Sequence, residues 1–349
     1  MSPCCSKKGS RARALFRSFF YLVHMQYMTT YSTLGRCAAA LVLAASAHCT
    51  WADVFVSSEK DNAIMVLQND GTFIKNIATC KRPRHMAWAN AGKQIMVACG
   101  DSDQIGIVDI AAGKQVDALP TAESPEIFAM SPDGKTAYVS IEEGSQMIAY
   151  DIASKKPVFS VKTGAEPEGV LATPDGKLVY VTSEVTNSVH IVDVATRKQV
   201  GMVKVGKRPR RFALTPDGAE LWVTNELGSS VSIIDTASRA VKHTLVFEIA
   251  GMRKNDISPV GMLITPDGKT AWVALGRANH VAEVDVATHT VRKVILAGKR
   301  TWGVGLNGDG SRLYVVNGLS DDLTIVDVAS GKAIKTVPAG RVPHSVITN

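Results

Sequence analysis

The stretch PEGVLATPDGKLVYVTSEVTNSVHIVDVATRKQVGMVKVGKRP, residues 167–209, decides the fold. Residues 168–172 are a short apolar run. Thr173-Pro174-Asp175-Gly176-Lys177 carries the proline and glycine of a tight turn between strands. Residues 178–183 are β-branched and aromatic, and 184–187 are polar and turn-like. Residues 188–193 alternate polar and apolar, the pattern of a half-buried strand. Asp193 opens a further turn in which its carboxylate can bond local N–H groups, and 199–205 form a fourth strand. No apolar period of 3.6 persists over ten residues, so no core helix is expected.

This unit recurs seven times between Asp53 and Asn349. Pro83, Pro125, Pro167, Pro209, Pro259 and Pro343 share one frame, with Thr301 in the proline's place in the sixth copy. A turn glycine (Gly92, Gly134, Gly176, Gly218, Gly268, Gly310) and an aspartate (Asp109, Asp151, Asp193, Asp235, Asp285, Asp327) keep the same step. The spacing is 42 residues throughout except for 50 between Pro209 and Pro259. A period in the forties with four strands per unit predicts a β-propeller. Phe55, Tyr138, Tyr180, Trp222, Trp272 and Tyr314, with Met96 in the remaining copy, occupy one position of the second strand and read as packing between neighbouring sheets. Three strands precede the first anchor and a single inner strand follows the last. The expected fold is therefore an all-β, seven-bladed propeller of four-stranded antiparallel blades, closed by N- and C-terminal strands sharing one blade.

The chain carries 39 Lys+Arg against 32 Asp+Glu. Residues 1–52 hold six of the basic residues and no acid, which leaves 33 against 32 for 53–349. That near-neutral balance argues against strong polyanion binding. The domain reading is a leader over 1–52 and a single propeller over 53–349. Arg36, the apolar stretch 37–47 and Thr50-Trp51-Ala52 have the layout of a secretory signal cleaved before Asp53, with Met25 or Met28 as a more ordinary start. The apolar stretch is shorter than the ~20 residues of a spanning helix, so the mature chain is expected to be periplasmic, with no membrane span. A retained membrane anchor is the competing reading of the same segment.

Cys80 and Cys99 remain in the mature chain, at one end of a predicted hairpin. An exported compartment permits a disulfide between them, and two small buried thiols are the alternative. Haem-attachment, zinc-protease, nucleophile-elbow and complete EF-hand motifs are missing from the sequence. Gly303-x-Gly305-x-x-Gly308 lies on an inner strand with no helix to follow, so it lacks dinucleotide-binding geometry. No catalytic residue and no resident cofactor are assigned.

Loops joining successive blades gather around one mouth of a propeller channel, and the segments beside the proline anchor are those loops. The candidate ligand- or partner-binding residues there are Arg82, Arg84, His85, Glu123, Glu126, Glu166, Glu168, Arg208, Arg210, Arg211, Arg253, Arg300, Trp302, Arg341 and His344. Their order predicts an acidic arc over two adjacent blades and basic residues elsewhere; the competing reading is charge on turns that are merely wet. Arginine forks suit a carboxylated ligand, and the acidic arc suits a cation or a basic partner. His85, His344 and Glu126 have metal-ligand donor types but no ligand spacing, and unconnected surface histidines are the alternative. The long fifth linker, around 247–256, is a candidate lid or docking element.

Ala137-Tyr138-Val139-Ser140, Val179-Tyr180-Val181-Thr182 and Leu221-Trp222-Val223-Thr224-Asn225 resemble the YVTN repeat of exported seven-bladed propellers. The ordered anchors Arg82-Pro83-Arg84, Pro125-Glu126, Glu166-Pro167-Glu168-Gly169, Arg208-Pro209-Arg210, Pro259-Val260-Gly261 and Arg300-Thr301-Trp302 resemble those of the PQQ-dependent catabolism-associated β-propeller family, over essentially 53–349. That resemblance implies a non-enzymatic, periplasmic binding or docking role accessory to quinoprotein alcohol or aldehyde oxidation. The implied partner is a quinoprotein dehydrogenase or its electron-transfer partner, and PQQ is implied as a ligand, not as an active-site cofactor; a cation as ligand rests on the acidic arc alone. A propeller lactonase-type hydrolase is the first alternative. A single-stranded nucleic-acid or surface-adhesion binding protein is the second.

Overall fold

A computed structural model describes residues 53–349; the proposed leader and its alternative start sites lie outside the described residues. Seven four-stranded antiparallel sheets follow one another around a channel. Blade one joins Asp53–Ser58, Ala63–Gln68 and Phe73–Ala78 to the C-terminal strand Pro343–Thr348. Blades two to seven span 83–120, 125–162, 167–204, 209–246, 259–296 and 301–338. Val54, Phe55 and Val56 pair with Thr348, Ile347 and Val346, so the last strand closes the ring on the first. The expected strands of the fourth blade appear at Pro167–Ala172, Leu178–Ser183, Ser188–Asp193 and Lys198–Lys204. Among the described residues the only helical pieces are three short 3-10 turns.

The core is divided by the seams between blades. Phe55 packs with Ile95 and Val97, Tyr138 with Val179 and Val181, and Tyr180 with Leu221 and Val223. Trp222 packs with Ala271 and Val273, Trp272 with Leu313 and Val315, and Tyr314 with Val54 and Val56. Met96 takes the same place against Ala137 and Val139. Each ring thus reaches from its own blade onto the second strand of the next, which is the inter-sheet packing its position in the repeat predicts. Burying a large apolar side chain in this way is worth about 1.5–3 kcal/mol.

At Gly176 the repeat's turn needs a left-handed residue, and φ is +70°. Asp175 accepts from the Lys177 N–H at 3.1 Å and from the Thr173 hydroxyl at 2.6 Å, so the preceding aspartate braces the turn. Cys80 and Cys99 are joined by a disulfide, with Cα atoms 5.8 Å apart. The bond ties the loop entering blade two to the end of that blade's second strand.

Candidate functional site: the channel mouth

Three local devices set the mouth. The first is a β-bulge in every inner strand, at the two residues after the proline anchor. The pairing of Pro167 with Ser183 resumes one residue out of step at Val170 with Val181, and the other six blades do the same. Such bulges re-aim side chains. Here the first bulge position carries Arg84, Glu126, Glu168, Arg210, Val260, Trp302 and His344 in blade order.

The second device is a hydroxyl on the second strand. Thr182 accepts from the Gly169 N–H at 2.7 Å and donates to the Arg210 carbonyl of the next blade at 3.2 Å. Ser140 links Ile127 to Glu168 in the same way, Thr224 links Arg211 to Val260, and Ser57 links Ser345 to Arg84.

The third is a latch from the preceding blade onto the residue before the anchor. The N–H groups of Arg82, Ser124, Arg208, Arg300 and Val342 donate to Asn62, Asp103, Asn187, Asn279 and Asp321 at 2.8–3.0 Å. Those five donors, together with Glu166, all have positive φ, between 51° and 60°. Left-handed non-glycine residues cost of order 1–3 kcal/mol each and cluster at functional sites.

The charges do not form separate arcs. Arg84 donates to Glu59 at 2.8 Å and also pairs with Glu126. Arg82 reaches Glu126 at 3.3 Å and Asp101 at 3.5 Å. Arg210 meets Glu168 at 3.2 Å, pairs with Glu184 and lies 3.8 Å from Glu226. Arg211 pairs with Glu168. Arg208 reaches Glu184 at 2.7 Å, and Arg300 reaches Glu226 at 3.0 Å. Glu126 and Glu168 are therefore consumed by arginines, because carboxylates that leave water need paired charge. This corrects the expectation of an acidic arc presented to a cation. It also removes Glu126 as a metal ligand beside His85 and His344; among the described residues no group of three or more ligating side chains could hold a metal.

An acidic rim survives further out. Glu123 and Glu166 are exposed. Half-buried Glu142 has its pKa raised by burial and by its neighbours Glu126, Glu168, Glu184 and Glu166. Arg341 pairs with Asp61 at 2.6 Å, and Arg253 with Asp256 at 2.8 Å; both arginines are largely exposed and belong to the outer rim. The long linker is anchored at its base by buried Phe247 and Ile257 and by the Ser229 hydroxyl, which donates to the Ile257 carbonyl at 2.7 Å. None of its residues lines the channel cavity.

Glu59, Glu184 and Glu226, which complete the two ion-pair networks, read as turn residues in the sequence. A signal existed: the residue directly after the second strand is glutamate in four blades, at Glu59, Glu142, Glu184 and Glu226.

Below these ion pairs the inner strands enclose a cavity of about 260 Å³. Its polar wall is His85, Arg211, Trp302, His344 and Ser345; Met86, Val170, Phe212, Met262 and Val346 supply much of the apolar wall. Gly169, Gly261 and Gly303 stand at the second bulge position, where a Cβ would run into the backbone of the next blade. Trp302 stacks on His344, with ring centres 5.7 Å apart, and Arg300 lies 4.6 Å from the indole. His344 is 5% exposed, and neither ring nitrogen has a hydrogen-bond partner among the described residues.

Burial, then the charge of Arg211, lowers the His85 pKa to about 3. Burial, then Arg84, Arg211 and Arg210, drives that of His344 well below the usual imidazole range. Both rings are neutral at pH 7. For Glu168 burial acts upward, but Arg210, Arg211 and Arg84 outweigh it and hold the carboxyl at about 2. The site thus combines a buried neutral imidazole whose nitrogens have no hydrogen-bond partner among the described residues, a guanidinium held by Glu168 and an indole platform.

Sequence and structure together define a seven-bladed propeller with a charged mouth. The family described as "Lactonase, 7-bladed beta-propeller" matches residues 170–347, and the chain belongs to that family. Among solved structures, hydrazine synthase of Kuenenia stuttgartiensis is 22% identical, with 76% of this chain and 89% of that chain covered and a TM-score of 0.67. A functionally unknown protein from Desulfotomaculum acetoxidans DSM 771 is 16% identical, with 85% and 98% covered and a TM-score of 0.72. A protein from Lactobacillus plantarum is also 16% identical, with 85% and 99% covered and a TM-score of 0.72. These likenesses concern the fold alone. No curated protein matches the chain.

Proposed function

We propose that this chain is a lactonase-type hydrolase that opens a small lactone ring in the channel. The observation that carries the reading is His344: a buried, neutral imidazole with both ring nitrogens unpartnered, on the wall of a cavity that Arg211 also lines. In the proposed step the imidazole takes a proton from water as the water oxygen attacks the lactone carbonyl. The guanidinium of Arg211 stabilises the oxyanion of the tetrahedral adduct. Collapse breaks the ring C–O bond, and the leaving alkoxide takes the proton back from the imidazolium, giving the hydroxy acid. Family membership supports the reaction class. Turnover of γ- and δ-lactones by the protein, lost in His344→Gln and reduced in Arg211→Gln, is the expected result. Hydrolysis unchanged in both variants would overturn it.

The second reading is a non-catalytic docking protein, exported to the periplasm and accessory to quinoprotein oxidation. What favours it is the pairing of the mouth charges into two networks, one from Glu59 to Glu126 and one from Glu168 to Arg300, which use the same ordered anchors that resemble the PQQ-associated family. A rigid, internally neutralised mouth suits a scaffold that presents its outer rim to a partner. Capture of a quinoprotein dehydrogenase, or calorimetric binding of PQQ, by a protein inert towards lactones would select this reading. Cell fractionation tests the export that goes with it.

A further inference from the structure

We infer that the channel is a proton-coupled oxyanion site: a small carboxylate enters between Arg211 and His344, and His344 takes up a proton as it binds. The inference deepens the hydrolytic reading, whose product is a hydroxy acid, but binding itself requires no turnover.

Among the described residues Arg211 is the one arginine on the cavity wall. Its carboxylate partner, Glu168, is shared with Arg210, and only one of its guanidinium nitrogens is engaged in that pair. A guanidinium has five N–H donors, so Arg211 keeps donors for a ligand. His344 sits on the same wall with two unpartnered nitrogens, a rare condition for a buried polar group.

The largest charges acting on His344 come from two inner strands, with Glu59 of blade one paired to Arg84 and Arg300 of blade seven lying over Trp302. Arg84 and His85 belong to blade two, and Arg210 and Arg211 to blade five. Trp302 of blade seven covers one face of the ring. The nearby carboxylates Glu126 and Glu168 are bound to arginines. Burial first, and then these cations, favour the neutral ring of His344. An oxyanion beside it reverses that balance, because a charge-assisted hydrogen bond from imidazolium to carboxylate stabilises the protonated form. The cavity lies below the ~300–1,000 Å³ usual for drug-sized ligands, so the carboxylate must be small.

The test is calorimetric titration of the whole protein with sodium 4-hydroxybutyrate, at pH 7 and in buffers of different ionisation enthalpy. Net proton uptake on binding is expected, with affinity rising as the pH falls, by at most about tenfold for each pH unit. The neutral isostere 4-hydroxybutanamide should not bind. His344→Gln should still bind the carboxylate but without uptake, and Arg211→Gln should weaken binding by tenfold or more. Uptake on the wild-type protein needs no variant, and a thermal melt certifies the fold of each one. The inference is overturned by absence of carboxylate binding, by equal binding of the amide, or by uptake that survives His344→Gln. Loss of lactone turnover with carboxylate uptake intact would overturn the hydrolytic reading and leave this one standing.

Discussion

Glu168 of blade four and Arg210 of blade five face each other at 3.2 Å across the seam between their blades, and the same carboxylate also pairs with Arg211. One buried anion therefore fixes two consecutive arginines, one in the ion-pair network and one on the cavity wall. The fold and the site depend on the same contact.

Glu168→Gln leaves both guanidiniums without their shared anion. Removing one member of a buried ion pair costs about 3–5 kcal/mol. Arg211→Met should cost less, because Glu168 keeps Arg210. Urea unfolding of the two variants measures the difference; equal losses would contradict the shared-anion arrangement.

Acid should destabilise the propeller in two stages. His85, with a folded pKa of about 3 against an ordinary 6.5, stays neutral while the unfolded chain takes up a proton. His344 is shifted in the same direction. Stability present above pH 6.5 is therefore lost as the pH falls from there towards 3. Glu168 adds a second loss as the pH falls from its ordinary 4.5 towards about 2. Melting temperature followed from pH 8 to 3 should fall below 6.5 and steepen below 4.5, with a shallower first stage in His85→Gln. A flat profile between pH 7 and 5 would contradict the buried neutral histidines.

Thr182→Val removes the acceptor of the Gly169 N–H and the donor to the Arg210 carbonyl. A buried group left unsatisfied costs about 1–3 kcal/mol. The loss should appear in chemical denaturation, together with weaker ligand binding, since the Thr182 hydroxyl sets the place of Arg210. Stability unchanged within a few tenths of a kcal/mol would mean that the bulge holds itself.

Reduction of the Cys80–Cys99 disulfide opens a loop of sequence separation 19. The expected loss is about 3 kcal/mol, and Cys80→Ser with Cys99→Ser should match it. A melting temperature insensitive to reductant would contradict a stabilising bond.

The ring was readable because three markers repeat in one register, and each repeated type has one physical job. Gly176 makes a turn, Tyr180 covers a seam, and Pro167 marks the mouth. The arcs failed because sequence order gives blade neighbours but not the side-chain partners that burial forces on them. Glu126 reads as an exposed loop acid, yet it is 1% exposed between Arg82 and Arg84. Glu184 reads as a turn residue, although its frame is shared by Glu59 and Glu226. His344 reads as the start of the last inner strand; its stacking on Trp302 across the ring closure is carried by no local pattern.

The most direct test of the account is steady-state hydrolysis of a panel of γ- and δ-lactones by the wild-type protein and by His344→Gln, each shown to be folded by its melting curve. The account predicts measurable ring opening by the wild type and loss of at least a hundredfold, about 2.7 kcal/mol of transition-state stabilisation, in the variant. A wild-type protein that opens no lactone, or a variant that opens them as fast, would contradict it.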